Sequence, residues 1–299
     1  MNLVVAIPVD ESLASFIGKK GSENSITFYN RKSGSDVIVV LMPSQQEDRA
    51  YALAESLLIS SVVVLSTANI DRRFGEALVA CSTLDKKVLV TDDNDVEQLL
   101  KGAGLANYTI VSKSNLLEKL AEGASPAPEE GVRVDIDKAF PVRGIGTVAL
   151  GIVTRGAIRQ HDKLFHTSGK QVSVRSIQSQ DEDTAEAGRG TRVGVSLKDI
   201  GDDEIEKGDL LTTRQVPRCS GIVVELRASA AAKESVAAEA RYGVADCFSY
   251  SECVVKKVDG KTAELELQAP MPVEIGDTVL LMRSQLPRIF ASGKVVGKA

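Results

Sequence analysis

The chain of 299 residues is poor in the side chains that build metal sites and disulfide frameworks. It has four cysteines and two histidines, and the cysteines form no Cys-x-x-Cys pair. These residues are Cys81, Cys219, Cys247, Cys253, His161 and His166. Neither a structural zinc site nor a set of disulfides is therefore expected, and a reducing cytoplasm is the predicted location.

Two further absences narrow the class of protein. No apolar run is long enough to cross a bilayer, and residues 1–8 lack a basic leader and are typical of a first strand. The sequence therefore predicts neither a membrane span nor a signal peptide. Acidic residues outnumber basic ones, and the net charge is −5. This charge argues against a protein that binds nucleic acid non-specifically along its length but is compatible with a local basic patch.

The overall composition is that of an ordinary globular protein. Apolar residues make up 43% of the chain and charged residues 26%, so extensive disorder is not expected. A chain of this length can hold two or three domains.

The first 123 residues alternate between short apolar runs and amphipathic stretches. The apolar runs are β-branched and of strand length, as in a parallel sheet that is covered on both faces. They lie at residues 37–41, 62–65, 88–90 and 108–111. Apolar residues at helical spacing fall near 50–58, 96–100 and 116–120. This pattern predicts a small α/β domain over residues 1–123.

The composition changes after residue 123. Residues 124–131 concentrate proline, small residues and charge without periodicity, and are predicted to form a semi-stiff linker. Glycine-punctuated apolar runs then predict two all-β units, at residues 132–217 and 218–299. The alanine-rich stretch from Ser229 to Arg241 interrupts the second unit and has high helix propensity. The sequence assigns it no role.

The first β unit opens with two alternating runs that meet at a glycine-rich corner. Gly144 and Gly146 lie in this corner, between Arg143 and Thr147. Glycine supplies the dihedral angles and the close backbone approach that a tight corner needs. We therefore interpret residues 134–156 as the first hairpin of a small β-barrel.

This hairpin and the segment that follows it, to residues 205–211, resemble domain II of the translational GTPases related to EF-Tu. Within that group they are most similar to the SelB-type factors, which carry selenocysteyl-tRNA. Residues 274–280 and 286–295 are similar to the closing strands of SelB domain III. The resemblance implies an α/β GTPase-like domain followed by two β-barrels, with residues 1–123 in the place of the G domain.

The phosphate-binding motif of that family is largely missing. A P-loop places Gly-x-x-x-x-Gly-Lys-Ser/Thr directly after the first strand, where backbone N–H groups and the lysine hold the phosphates. In this chain only Val9, Asp10 and Ser12 match the flanks of the family motif, and its Gly-Lys-Thr centre is gone. The later segment Gly18–Gly21 lacks both the upstream glycine and the hydroxyl, and is predicted to lie in a solvated loop.

The other two nucleotide motifs fail at corresponding places. Of the family's Asp-x-Pro-Gly-His only Pro43 remains, followed closely by Gln45. The guanine-binding Asn-Lys-x-Asp is replaced by Thr91-Asp92-Asp93-Asn94, with Asn94 where a carboxylate should bind the base. We therefore predict a degenerate G domain that has lost GTPase chemistry and most or all of its affinity for nucleotide, and we predict no cofactor. Residual binding of GTP or GDP through backbone groups of residues 8–14 stays open as an alternative.

In SelB-like factors the aminoacyl group lies on domain II, and the resemblance implies an Asp-His pair and an arginine in that pocket. Asp137, Lys138 and Arg192 stand at these positions, with the lysine replacing the histidine. A guanidinium paired with a carboxylate is held in a fixed fork that suits an anionic or polarisable group. The alternative is an ordinary surface ion pair.

Other polar side chains of this unit carry weaker signals. His161 and His166 lie beside predicted turns and are interpreted as polar surface residues. Six arginines suit phosphate contacts to a structured RNA, although scattered surface arginines explain them equally well. They are Arg143, Arg155, Arg159, Arg175, Arg189 and Arg192.

Three functions are compatible with these features. The first is a translation elongation factor-like protein that binds tRNA or aminoacyl-tRNA, with a specialised aminoacyl group, without hydrolysing GTP itself. The second is a regulatory interaction module whose first domain docks on the ribosome or on another translation factor. The third is a divergent GTP-binding elongation factor. It ranks last because the residues that would position the phosphates are missing.

Overall fold

The computed structural model describes residues 2–34, 36–44, 50–91, 96–122 and 130–299. Gln45, Asn94 and nearly all of the predicted linker, residues 124–129, lie outside these ranges. An N-terminal α/β domain is followed by two closed six-stranded β-barrels, which confirms the predicted fold class. All four cysteines are free.

The first domain is built on a seven-stranded sheet in the order β2-β3-β4-β1-β5-β6-β7. Side chains from α2, α3 and α4 form the core on one face, and those from α1 and α5 form the core on the other. The elements are β1 Asn2–Ala6, α1 Glu11–Ile17, β2 Lys19–Glu23, β3 Ile26–Ser33, β4 Asp36–Pro43, α2 Ala50–Ile59, β5 Val62–Ser66, α3 Arg72–Leu84, β6 Val88–Thr91, α4 Glu97–Gly102, β7 Tyr108–Val111 and α5 Leu116–Glu122, with a one-turn 3₁₀ helix at Lys113–Asn115. Within the described ranges, no helix combines the length and the apolar character that crossing a membrane requires.

The four predicted strands and three predicted helices of this domain are confirmed, but other elements were missed. Strands β1, β4, β5, β6 and β7 pair in parallel, whereas β2 and β3 extend the sheet antiparallel at one edge. The loop predicted at Gly18–Gly21 is wrong, because Gly18 caps α1 and the other three residues begin β2, a fully exposed edge strand. Helix α3 gave little signal because much of its buried face consists of alanine and other small side chains.

The second domain is a barrel closed by the pairing of β11 with β12. The ring runs β11-β16-β8-β9-β15-β12. Its strands are β8 Arg133–Val142, β9 Gly146–Arg155, β10 Ala157–Arg159, β11 Lys163–His166, β12 Gln171–Ser179, β13 Glu182–Thr184, β14 Glu186–Gly188, β15 Arg192–Lys198 and β16 Leu210–Thr212, with a one-turn 3₁₀ helix at Asp202–Glu204. The predicted opening hairpin is β8–β9, and both corner glycines have positive φ, +81° at Gly144 and +98° at Gly146.

The third domain is a closed barrel in the order β17-β20-β19-β18-β21-β22. The strands are β17 Cys219–Ala228, β18 Arg241–Asp246, β19 Ser249–Asp259, β20 Thr262–Met271, β21 Thr278–Met282 and β22 Ile289–Lys298. The alanine-rich stretch forms no helix despite its composition. Its Val236 packs on the barrel core, and the backbone N–H groups of Ser229 and Glu239 donate to carbonyls of the barrel strands. Tertiary contacts therefore override its helix propensity.

The three domains share one apolar cluster. Phe28 of the first domain, Ile152 of the second and Phe248 of the third belong to it, and all three side chains are almost fully buried. Burial of apolar surface between domains stabilises their relative arrangement. The candidate sites described below lie at these domain contacts.

A buried group of charges joins the two barrels. The Arg133 guanidinium on β8 donates to both carboxylate oxygens of Asp135 at 3.0 Å and to Asp277 of the third domain at 2.7 Å. It also lies 3.3 Å from Asp246. The Arg133 side chain is only 6% exposed, so these carboxylates depend on it for charge compensation.

We predict that Arg133→Ala lowers the free energy of unfolding by about 3–5 kcal/mol, because it leaves several carboxylates buried without a cation. Urea denaturation followed by circular dichroism measures this loss. The matched control is Arg143→Ala, at an exposed arginine of the same barrel, which should change stability by less than about 0.5 kcal/mol. Equal effects of the two substitutions would contradict the assignment.

Candidate functional site

The turn between β1 and α1 is the place where the family motif would bind phosphates. Here Asp10 is the N-cap residue of α1, and its Oδ1 accepts hydrogen bonds from the backbone N–H of Leu13 at 2.8 Å and from the Ser12 hydroxyl at 2.7 Å. Burial alone would raise the pKa of the Asp10 carboxyl, but hydrogen bonds from Ser66, Leu13 and Ser12 lower it. A carboxylate therefore occupies the end of the helix that would otherwise attract an anion.

The other described remnants of the nucleotide motifs serve packing. Val9 is half-buried against the core that α2 and α3 form with the sheet. Pro43 is the buried last residue of β4 and pairs with Ile26 on β3. Gln45 and Asn94 lie outside the described residues.

The structure brings together two of the three predicted pocket residues. Asp137 lies at a bulge in β8, where the register with β9 shifts between Ile136 and Lys138. Such a bulge re-aims a side chain. Arg192 begins β15, and its Nη2 donates to Oδ2 of Asp137 at 3.2 Å. Lys138 is exposed, and only its electrostatic field reaches Asp137.

The Asp137–Arg192 pair is buried, so the alternative of an ordinary surface ion pair is wrong. The side chains are 5% and 11% exposed, respectively. Burial raises the pKa of Asp137, although the positive charge of Arg192 acts to lower it. Burial also lowers the pKa of Arg192 to about 10, although the negative charge of Asp137 acts to raise it. Nη1 of Arg192 is buried and has no hydrogen-bond partner among the residues that the structure describes. The N–H groups of this nitrogen are thus unused.

A ring from the first domain covers this pair. The guanidinium carbon of Arg192 lies 3.2 Å from the ring centroid of Phe28, which is on β3 and 1% exposed. This is a cation–π contact with the planar guanidinium lying against the ring. This contact was not predicted from the sequence, because β3 was not among the predicted strands. In this domain arrangement, a group approaching Arg192 from the side of Phe28 meets the ring.

One histidine was interpreted wrongly. His161 is exposed at a turn as expected, but His166 is only 2% exposed, and its Nε2 lies 3.0 Å from Oδ2 of Asp209. Burial would raise the pKa of Asp209, but hydrogen bonds from His166 and Thr167 lower it. The signal was available, since His166 follows Leu164 by two residues on the inward face of β11.

Most of the six arginines are engaged within the protein. Arg155 pairs with Glu274, Arg159 pairs with Glu186, and Arg175 donates to the carbonyl oxygen of Ile145. Arg192 is buried against Asp137. The suggestion that all six contact RNA phosphates is therefore not supported by this geometry.

Comparison with known proteins agrees with this architecture. The family model for elongation factor Tu domain 2 matches residues 146–212. An uncharacterized protein of Methanocaldococcus jannaschii is 28% identical over 296 residues, covering 95% of this chain and 96% of that protein. The selenocysteine-specific elongation factor of Haemophilus influenzae is 23% identical over 310 residues, covering 97% of this chain and 48% of that factor.

Two solved structures share the fold. Translation elongation factor SelB from Methanococcus maripaludis, in complex with a GTP analogue, superposes with a TM-score of 0.81 at 19% identity, covering all of this chain and 79% of that one. A bacterial selenocysteine-specific elongation factor gives a TM-score of 0.81 at 15% identity and covers 98% of this chain and 58% of that one.

These observations define an elongation-factor-like protein. More specifically, the matches in sequence support an EF-Tu/SelB-type paralogue, and the solved structures agree with it in fold. It spans nearly the whole Methanocaldococcus protein but about half the length of the Haemophilus factor.

We predict that Arg192→Ala lowers the free energy of unfolding by about 3–5 kcal/mol at neutral pH, because Asp137 is left buried without a cation. Since burial raises the pKa of this carboxyl, protonation favours the folded variant. Its deficit should therefore shrink as pH falls towards 4 and grow as pH rises. Urea unfolding across this range measures the effect.

The double variant Asp137→Ala/Arg192→Ala serves as the control. It should lose less stability than the two single substitutions added together, since neither partner remains uncompensated. Additive losses would mean that the two side chains act independently.

Proposed function

We propose that this elongation-factor-like protein acts without hydrolysing GTP and binds tRNA through its two barrels. The observation that carries the first part is the turn between β1 and α1, where the Gly-Lys-Thr centre of the family motif is missing and Asp10 caps α1. A phosphate at this turn would need the lysine and the free N–H groups of that centre, whereas here the backbone N–H of Leu13 already donates to the Asp10 carboxylate. The predicted G domain is then a degenerate one.

The aminoacyl end of a charged tRNA is the proposed ligand of the Asp137–Arg192 pair. The unused Nη1 donor of Arg192 supports this, because a buried guanidinium N–H gains from an acceptor. Phe28 covers the guanidinium, so binding requires a shift of β3 relative to the second barrel. We assign the pocket to residues 132–217 and further tRNA contacts to residues 218–299, the units predicted from the sequence.

A second candidate is the regulatory interaction module, which would dock on the ribosome or on another translation factor. The contact between Phe28 and Arg192 favours it, because a pocket closed by another domain needs no small ligand. In this case the buried pair serves to fix the first domain on the second barrel. The two candidates differ in whether the aminoacyl group affects binding.

For the nucleotide, we predict that calorimetric titration with GTP or GDP in the presence of Mg²⁺ detects no binding at nucleotide concentrations on the order of 100 micromolar. A functional P-loop binds nucleotide far more tightly than this. The Asp10→Asn variant removes the charge and keeps the cap. It should also fail to bind, because the lysine and the glycine-rich loop are missing. A dissociation constant in the micromolar range for the parent would contradict the proposal.

For tRNA, we predict that Phe28→Ala increases the preference for aminoacylated over deacylated tRNA by roughly tenfold, about 1.4 kcal/mol, by opening access to Arg192. Filter binding with both forms of the same tRNA measures the ratio of affinities. Arg192→Gln in the Phe28→Ala background should abolish the preference.

The matched control for this ratio is Arg143→Gln, which changes an exposed arginine of the same barrel and should affect both forms of tRNA equally. If neither the parent nor Phe28→Ala distinguishes the two forms, the carrier function is wrong and the interaction module becomes the better explanation.

A further inference from the structure

A second cleft lies between α2 of the first domain and the third barrel, and its walls are unusually aromatic for this chain. We call it the tyrosine–arginine cleft after the residues that define it: Tyr51, Tyr242, Tyr250, Arg241, Arg283 and Arg288. Three of the five tyrosines of the chain are found here. The cleft has a volume of about 650 Å³, which lies within the usual range for ligand sites. None of its residues belongs to the Asp137–Arg192 pair.

The aromatic walls are fixed in position. The rings of Tyr51 and Tyr250 meet edge to face with centroids 5.1 Å apart, and the Tyr51 hydroxyl donates to the carbonyl oxygen of Phe248 at 2.9 Å. A Cβ atom on Gly243 would lie 2.5 Å from Oη of Tyr250. Glycine at this strand position therefore allows the Tyr250 ring to lie close to the backbone, and the side chain stays 40% exposed.

Two of the three arginines are held by the protein. The Arg283 guanidinium lies 4.3 Å from the ring centroid of Phe290 and donates to the carbonyl oxygens of Leu286 and Pro287 at 3.2 and 3.3 Å. Arg288 forms a bidentate ion pair with Glu76. These contacts shape the cleft and use most of the donors of both side chains.

Arg241, in contrast, is available to a ligand. Its side chain is exposed at the start of β18 and makes no ion pair or hydrogen bond with any residue in the described part of the chain. One carboxylate lines the cleft: Glu252 accepts a hydrogen bond from the Tyr250 hydroxyl. Glu234, outside the lining, lies 3.5 Å from Arg283. The cleft thus offers one uncompensated cation beside an exposed aromatic ring.

One free arginine beside one exposed aromatic ring suits some anionic ligands better than others. A duplex backbone needs a row of free cations, which the cleft lacks. An unpaired nucleotide needs an aromatic face for its base and one cation for its phosphate. Glu252 and Gln285, which also line the cleft, offer an acceptor and an amide for the polar edge of a base.

We propose that the tyrosine–arginine cleft binds an unpaired nucleotide segment of RNA. The base stacks on the exposed ring of Tyr250, and the adjoining phosphate pairs with Arg241. This site goes beyond the proposed tRNA function, because it requires neither an aminoacyl group nor an opening at Phe28. With this site, the contact between the first and third domains would itself bind RNA.

The test is fluorescence anisotropy with a labelled single-stranded RNA of six nucleotides at low salt. Tyr250→Ala should weaken binding about tenfold or more, since stacking of one base contributes roughly 1–3 kcal/mol. Tyr250→Phe keeps the ring and should bind like the parent, which separates stacking from any effect on folding. Arg241→Gln should weaken binding and reduce its salt dependence by about one phosphate contact.

The matched control is Arg227→Gln, at an exposed arginine of the same barrel whose ion pair with Asp85 spans 3.5 Å; it should leave binding unchanged. The chain has no tryptophan, so quenching of tyrosine emission is a second, label-free measurement. Equal affinity of Tyr250→Ala and Tyr250→Phe, or no binding of the single strand by the parent, would overturn the proposal. So would equal affinity for an acidic peptide, which would indicate a protein ligand.

The outcome is independent of the tRNA experiment. If binding does not depend on the aminoacyl group but the single strand binds through Tyr250, the proposed carrier function is wrong and the proposed RNA site in the cleft is supported. If the protein distinguishes aminoacylated from deacylated tRNA but does not bind the single strand, the carrier function is supported and the RNA site is wrong.

Discussion

The apolar contact among Phe28, Ile152 and Phe248 is the constraint on which the rest of the arrangement depends. Each of these side chains belongs to a different domain, so the cluster links all three domains. The contact brings β3 over the second barrel and α2 against the third. Truncation of any one of these side chains would weaken the apolar contact between domains.

Both candidate binding regions lie where domains meet. Arg192 belongs to the second barrel but is covered by Phe28 of the first domain. The tyrosine–arginine cleft needs Tyr51 from α2 and Tyr250 from the third barrel. The first domain therefore contributes a cover to one region and a wall to the other. The α/β domain can therefore matter for binding by where it places its side chains, whether or not it binds phosphates itself.

The sequence predicted the elements whose signal is local. Continuous β-branched runs indicated the parallel strands, and the glycine corner indicated the β8–β9 hairpin. It did not predict β2, whose residues are all exposed and carry no apolar side chains, or the irregular path of the alanine-rich stretch, which contacts with the barrel determine. The same limit applies to the site. Asp137 and Arg192 could be paired by resemblance, but the burial of the pair and its cover by Phe28 depend on contacts between domains.

The Asp10 cap has a consequence for how the protein persists in a cell. A fold that depends on a bound nucleotide gains stability with the logarithm of the concentration of that nucleotide. Here the Asp10 carboxylate caps the first helix from within the chain. If the domain binds no nucleotide, as we propose, the amount of folded protein does not depend on the supply of guanine nucleotides, even when growth slows.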